Sequence, residues 1–282
     1  VKGVIGFDGR TVGINTGKRY ARIAAKKDGS VSCQFDLIGR IWKGRPQLPT
    51  EKVFLLDEKY SGESTASKLQ RVRKEMKEAS ANIHLISSLD DIAWLLNIRG
   101  NDIAYCPLVL SYLIIYEDYA ELYADERKFP DNVLNELKRN HISLKPYNDI
   151  YAAVEKLNSG SVILIDPERV NYTLYQNIPK EVTITERENP EVLMKCIKND
   201  IEIENTKKAH LKDAVAHTKF MFWLKHTAES DDDVTEISAS DKLESFRAQQ
   251  EGYLGASFAP ISAFGEHGAI VHYSATSESN AT

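Results

Sequence analysis

Regular spacing of apolar residues first appears at about residue 64. Leu69, Val72 and Met76 follow one another at intervals of three and four, which places them on one face of a helix, and Ser64 precedes them as a plausible N-cap. The pattern predicts that a helix begins at Ser64 and that a new domain begins with it.

The residues before this helix form a weaker pattern. A short apolar piece at Val4 and Ile5 is followed by a basic amphipathic stretch over residues 18–27 and by a proline-containing connector at residues 45–49. This is too little apolar surface for a self-sufficient core. We therefore predict that residues 1–58 are the C-terminal part of a truncated domain.

Strand-like and helix-like segments alternate from residue 83 to residue 185. The predicted strands are 83–89, 108–116, 120–123, 162–165 and 182–185, and the predicted helices are 90–98, 131–142, 149–157 and 170–176, with Asp90 as the cap candidate of the first. This alternation is typical of an α/β domain with a mixed or parallel sheet. The domain is predicted to span residues 59–190.

A third region, residues 191–282, begins with a long helical pattern. The helix is predicted over 200–229, and Asp231–Asp233 is read as the solvated turn that ends it. Thr235 is placed to cap a second helix that runs to Gln250, and a strand-like region follows over residues 257–273. Two helices and the start of a sheet predict an incomplete third domain.

Composition excludes several functional classes. The chain has 282 residues, of which 42% are hydrophobic and 27% charged, and a net charge of -5. This balance, without a concentrated basic block, argues against a nucleic-acid partner. The longest apolar runs are too short to span a membrane. Three widely spaced cysteines signal neither a disulfide framework nor a zinc site, so a cytoplasmic location is expected.

Candidate chemistry is concentrated near the end of the chain. None of the common nucleotide, hydrolase or zincin motifs occurs. His84 falls in a predicted strand, where a structural role suffices. His267 and His272 flank a glycine-containing apolar segment, and in a strand they would point to opposite faces, which disfavours joint metal ligation. Spacing alone favours an ordinary strand histidine at position 272.

Several ordered segments resemble the three-domain Xaa-Pro aminopeptidases (aminopeptidase P). They are DEKYSG at 57–62, SLDDIAWLLNIRG at 88–100, KNDIEIE at 198–204 with KAHLKD at 208–213, TEISASDK at 235–242 with FRAQQ at 246–250, and GAIVHY at 268–273. The match runs through nearly the whole chain in the family's order. It is therefore more specific than any single motif.

The resemblance implies a fold and an architecture. Residues 1–58 would end a creatinase-like N-terminal domain, residues 59–190 would form a second creatinase-like α/β domain, and residues 191–282 would open a pita-bread α+β catalytic domain. The chain starts with Val1 rather than methionine and stops before the family's metal-binding segments. It is therefore interpreted as a fragment that is inactive on its own.

The resemblance also implies a chemistry. Family members remove the N-terminal residue of peptides with proline in second position, using two divalent metal ions, usually manganese, and a homodimer is expected. The one catalytic residue that carries over is His272, which matches a histidine thought to bind substrate or to stabilise the transition state through a hydrogen bond. No metal ligand carries over, and His267 matches no family histidine. The alternative is a non-catalytic pita-bread binding or scaffold protein.

Overall fold

The computed structural model describes residues 3–228 and 234–282, so the predicted turn at Asp231–Asp233 lies outside the described residues. The chain forms two compact units. The first, unit 1, extends to Ile103 and resumes over Pro107–Lys198, and the second, unit 2, comprises Ala104–Cys106 and Asn199–Thr282. No helix in the described part of the chain is both long enough and apolar enough to cross a membrane.

Ten strands occur in the described residues, all in unit 1. They are β1 (Val4–Gly6), β2 (Ser30–Ser32), β3 (Phe54–Leu55), β4 (Ile83–Ile86), β5 (Ile98–Arg99), β6 (Ser111–Tyr116), β7 (Ala120–Ala124), β8 (Ile142–Pro146), β9 (Val162–Ile165) and β10 (Thr183–Glu186). Six of them form one sheet in the order β10-β9-β4-β6-β7-β8. The pairs β10/β9, β9/β4 and β7/β8 are parallel, whereas β4/β6 and β6/β7 are antiparallel. The prediction of a mixed sheet is confirmed.

Of the α-helices in the described residues, nine belong to unit 1 and two to unit 2. The helices of unit 1 are α1 (Ile14–Ala25), α2 (Leu37–Ile41), α3 (Glu58–Ser61), α4 (Thr65–Glu78), α5 (Leu89–Leu96), α6 (Asp131–Arg139), α7 (Asp149–Glu155), α8 (Tyr172–Asn177) and α9 (Pro190–Cys196). Unit 2 contains α10 (Asp200–Ala228) and α11 (Glu236–Ala248).

Two buried apolar clusters lie on opposite faces of the large sheet. Successive side chains of a strand point to opposite faces, and on β6 Leu113 belongs to one cluster while Ile114 belongs to the other. Helices α4, α5 and α6 contribute to the first cluster, and α7 and α8 contribute to the second. The sheet is thus covered by helices on both faces.

Residues before position 59 also pack into unit 1. Val53 belongs to the first cluster and Ile14 to the second, and both are almost fully buried. The units divide after Lys198, eight residues beyond the limit predicted at residue 190. The three domain limits stay predictions.

Several helix boundaries follow the predicted caps, and one does not. Ser64 accepts a hydrogen bond from the Ser67 amide at 3.2 Å and caps α4, which confirms that prediction. Asp90 was the wrong cap for the next helix, because α5 begins at Leu89 with Ser88 in the N-cap position. Asp90 instead lies in the first turn, where a carboxylate favours the helix dipole.

The predicted helix over 131–142 ends early, and two elements were missed. Helix α6 stops at Arg139, and His141 adopts a positive φ of 56°, which reverses the chain into β8. β8 pairs in parallel with β7. Helix α9 was also missed, although Pro190 at its first turn is a usual helix start.

Candidate functional site

The segment that carries His272 is an irregular loop, and the strand predicted over residues 257–273 is wrong. A 3-10 helix spans Gly265–Ala269, and His272 has a positive φ of 56°. The described residues of unit 2 contain no strand with which this segment could pair. Its backbone amides bond locally instead: the His267 amide donates to the Phe264 carbonyl and the Ile270 amide to that of His267.

His272 itself is exposed at the surface of this loop. Within residues 3–228 and 234–282, no hydrogen-bond partner of its imidazole occurs. Both ring nitrogens are therefore available to a bound molecule. The predicted opposition of His267 and His272 across a strand no longer applies, because neither residue lies in one.

A buried carboxylate organises the loop on either side of His272. Glu236 is the first residue of α11, and its side chain is 1% exposed. Its Oε1 accepts from the Phe264 amide at 2.7 Å and lies 2.9 Å from Nδ1 of His267. Its Oε2 lies 2.7 Å from the Tyr273 hydroxyl and accepts from the Ala281 amide at 3.1 Å. We call these five residues the Glu236 cluster.

Electrostatics keep this carboxylate ionised. Burial opposes its charge, but the hydrogen bonds from Tyr273, Phe264, His267 and Ala281 outweigh burial and lower the pKa of Glu236 to about 2. An ionised carboxylate only accepts hydrogen bonds and can serve donors at both oxygens. The ionised form therefore matches the surrounding donors at neutral pH.

The Tyr273 side chain contacts both Glu236 and His267 within the Glu236 cluster. It is buried, and its hydroxyl also lies 2.8 Å from the Ser279 carbonyl oxygen and 3.3 Å from the Ser279 Oγ, so its one proton faces three oxygens. The pKa of Tyr273 is raised, first because the phenol is buried. The His267 ring stacks on the Tyr273 ring with centroids 4.7 Å apart.

Sequence reasoning proposed His272 as a site residue, assigned no role to His267 and did not single out Glu236. The available signal for Glu236 was its position directly after the predicted N-cap Thr235. That signal indicates the start of a helix. It does not indicate that residues 264–281 fold back and donate hydrogen bonds to the Glu236 carboxylate.

The described residues do not fit a metal centre. No group of three or more histidine, cysteine, aspartate or glutamate side chains in this part of the chain is arranged to hold a metal ion. In the Glu236 cluster, both carboxylate oxygens are occupied by protein donors. None of the described residues is therefore assigned as a ligand to a metal ion.

Two family profiles match the chain in succession. The Creatinase/Prolidase N-terminal domain profile covers residues 44–202, and the Metallopeptidase family M24 profile covers residues 204–281. These two profiles define the class of protein: a creatinase-like α/β domain is followed by the start of an M24 metallopeptidase domain. The expected order, a creatinase-like α/β domain followed by the start of the catalytic domain, is confirmed.

Comparison with individual proteins defines the family more closely. The chain is 35% identical to a probable Xaa-Pro aminopeptidase P of Neurospora crassa over 94% of its length and 42% of that protein. It is 38% identical to Xaa-Pro aminopeptidase 1 of Dictyostelium discoideum, over 84% of the chain and 38% of that protein. The chain belongs to the Xaa-Pro aminopeptidase family.

A solved structure supports this family assignment. The X-prolyl aminopeptidase of Caenorhabditis elegans, described as a cytosolic enzyme with a di-nuclear active site, superposes with a TM-score of 0.93 at 29% identity. The superposition covers 99% of this chain and 47% of that protein. The chain spans less than half the length of these relatives.

Proposed function

We propose that this chain is part of a metal-dependent Xaa-Pro aminopeptidase, which removes the first residue of peptides with proline in second position. The observation that supports this most strongly is the ordered match of both family profiles across residues 44–281, together with relatives named for this activity. The named specificity of those relatives supports the peptide substrate.

We include two divalent metal ions, with manganese as the metal, in this proposal. The di-nuclear site of the C. elegans enzyme supports the number, and membership of the M24 metallopeptidases supports metal dependence. Bound metal ions would supply an activated water for hydrolysis. A cytosolic location, as in the C. elegans enzyme, and a homodimer are further parts of the proposal, tested by fractionation and by light scattering.

Within this chain, His272 is the proposed catalytic residue. It matches the family's histidine, it is exposed, and it extends from a loop that buried contacts hold on both sides. A donor held ready before the reaction can stabilise charge that develops on the scissile carbonyl oxygen. We assign that donor role to its imidazole N–H.

The test is manganese-dependent release of the first residue from an Xaa-Pro-Pro peptide by the complete protein. His272→Ala should lower kcat about 100- to 1000-fold, as the loss of one transition-state donor does in other hydrolases. His210→Ala, which removes an exposed histidine from α10, is the matched control and should leave turnover unchanged. Wild-type turnover by His272→Ala would contradict the site assignment, and an inactive wild type would favour a non-catalytic binding protein.

A further inference from the structure

The four donors of the Glu236 cluster come from both sides of His272 in the sequence. Phe264 and His267 precede it, whereas Tyr273 and Ala281 follow it. One carboxylate thus binds both arms of the loop, that is, the segment before His272 and the segment after it. Loss of these bonds would release the loop at more than one point.

The nearest of these anchors is adjacent to His272 itself. Tyr273 is buried and bonded to Oε2, and the His267 ring covers its face. His272 has a positive φ, a conformation that is uncommon for residues with a Cβ. The contacts of Tyr273 are the ones that hold the backbone at this point.

The carboxylate is itself held by a rigid element. Thr235 and Ser238 form a reciprocal capping box at the start of α11, with hydrogen bonds of 3.1 Å and 2.8 Å. The Glu236 amide donates to the Ala281 carbonyl at 3.0 Å, so backbone and side chain both bind the same residue. Geometry fixed on a helix is more precise than geometry within a loop.

We propose that Glu236 is a positioning residue for His272: its buried carboxylate binds the two arms of the loop and thereby fixes the imidazole where the substrate carbonyl is bound. This inference rests on the proposed function. It assigns to Glu236 and His267 a role in catalysis without contact to substrate.

Glu236→Gln in the complete protein is the primary test. The carboxamide keeps the shape of the side chain but presents an NH2 group to two of the donors. The bond from the backbone amide of that pair is lost, and its partner, the Tyr273 hydroxyl or the His267 ring, can bond to the NH2 group only as an acceptor. We expect kcat to fall about 10- to 100-fold, because a misplacement of about 1 Å at a catalytic group can lower the rate about 100-fold. KM should change little, since the lost interaction belongs to the transition state.

The matched control is Glu244→Gln on the same helix. Glu244 also accepts a hydrogen bond from a tyrosine hydroxyl, that of Tyr253, but it lies outside the Glu236 cluster. It should keep wild-type kcat and KM. An equal loss in both variants would show that weakening α11 is sufficient and would overturn the positioning role.

A double-mutant cycle separates positioning from general destabilisation. If Glu236 acts through His272, then Glu236→Gln should change kcat by less than about threefold in a His272→Ala background. A full, additive loss in that background would overturn the inference. Tyr273→Phe removes a single hydroxyl and should lower kcat in the same direction but less, which keeps the test decisive if Glu236→Gln folds poorly.

Carbethoxylation of histidines, followed by mass spectrometry, distinguishes failure of this inference from failure of the proposed function. Glu236→Gln should raise the labelling rate of His267 several-fold and should also change the labelling rate of His272. Glu244→Gln should change neither rate. Unchanged labelling of both histidines would overturn the anchoring role. Absence of turnover in the wild type, with the labelling change present, would refute the peptidase activity while leaving the anchor in place.

Discussion

His84 and Glu191 form an ion pair inside unit 1, and neither side chain is exposed. The Nε2 of His84 lies 3.2 Å from Glu191 Oε2, and its Nδ1 lies 3.0 Å from the Leu164 carbonyl oxygen. Both partners are acceptors, so the ring satisfies both only when both nitrogens are protonated. Burial opposes the charge, but Glu191, the Leu164 carbonyl and Asp91 outweigh burial and raise the pKa of His84.

His84→Gln should therefore destabilise the chain in a pH-dependent way. A raised histidine pKa gives stability that is fully present below the unfolded-state pKa of 6.5 and is lost as pH rises through the folded-state pKa. We expect a loss of about 3–5 kcal/mol at pH 6, because one buried partner is left alone. The loss should be smaller at pH 9, as measured by urea unfolding at both pH values.

The control for this experiment is His210→Gln, which alters an exposed histidine and should have little effect at either pH. A loss from His84→Gln that is the same at pH 6 and pH 9 would show that His84 is uncharged in the folded state over this range. The sequence indicated that His84 was structural. It gave no sign of Glu191, because 107 residues separate the two.

At the scale of single elements, helix starts were the most predictable feature. Ser64 and Thr235 each cap a helix as expected, because a side-chain oxygen bonds to an amide only three residues away. Strand β8 and the irregular segment before His272 were not predicted. Their conformations depend on partners far away in sequence, namely β7 for the first and Glu236 for the second.

Thr235→Ala tests the cap of α11. The substitution removes the oxygen that accepts from the Ser238 amide, and we expect the free energy of unfolding of unit 2 to fall by about 1 kcal/mol. Ser245→Ala, at an exposed position on the same helix, should change it by less than about 0.5 kcal/mol. Circular dichroism during urea unfolding provides the measurement, and equal effects of the two substitutions would contradict the assignment of the cap.

At the scale of the whole molecule, the two units differ in how much apolar surface they bury. Unit 1 contains both large apolar clusters, whereas the buried apolar residues among the described positions of 199–282 are Ala216 and Tyr273. Leu211, Phe222 and Val271 are all exposed. Since burial of apolar area is the main source of stability, unit 2 should open more readily.

Hydrogen exchange of the 282-residue chain tests this difference with two helices of similar length. Helix α4 has 14 residues and buries Leu69, Val72 and Met76, whereas α11 has 13 residues and buries Glu236 alone. The amides of α11 should exchange faster than those of α4, as followed by mass spectrometry of peptides from each helix. Equal protection would contradict the inference that unit 2 is the less stable part.

The amino-acid sequence by itself determined the caps at Ser64 and Thr235, the alternation of strands and helices that defines a mixed α/β domain, and the family, and it led to the proposal of His272 as the catalytic residue. These features depend on local spacing or on the order of segments along the chain, and both are visible in the sequence. Only the tertiary structure decided the sheet order, the ion pair of His84 and the attachment of the His272 loop to Glu236. The contacts of Glu236 with Phe264 and of His84 with Glu191 join residues 28 and 107 positions apart. A buried charge bonds to whichever partners lie near it in space, and no local sequence pattern indicates them.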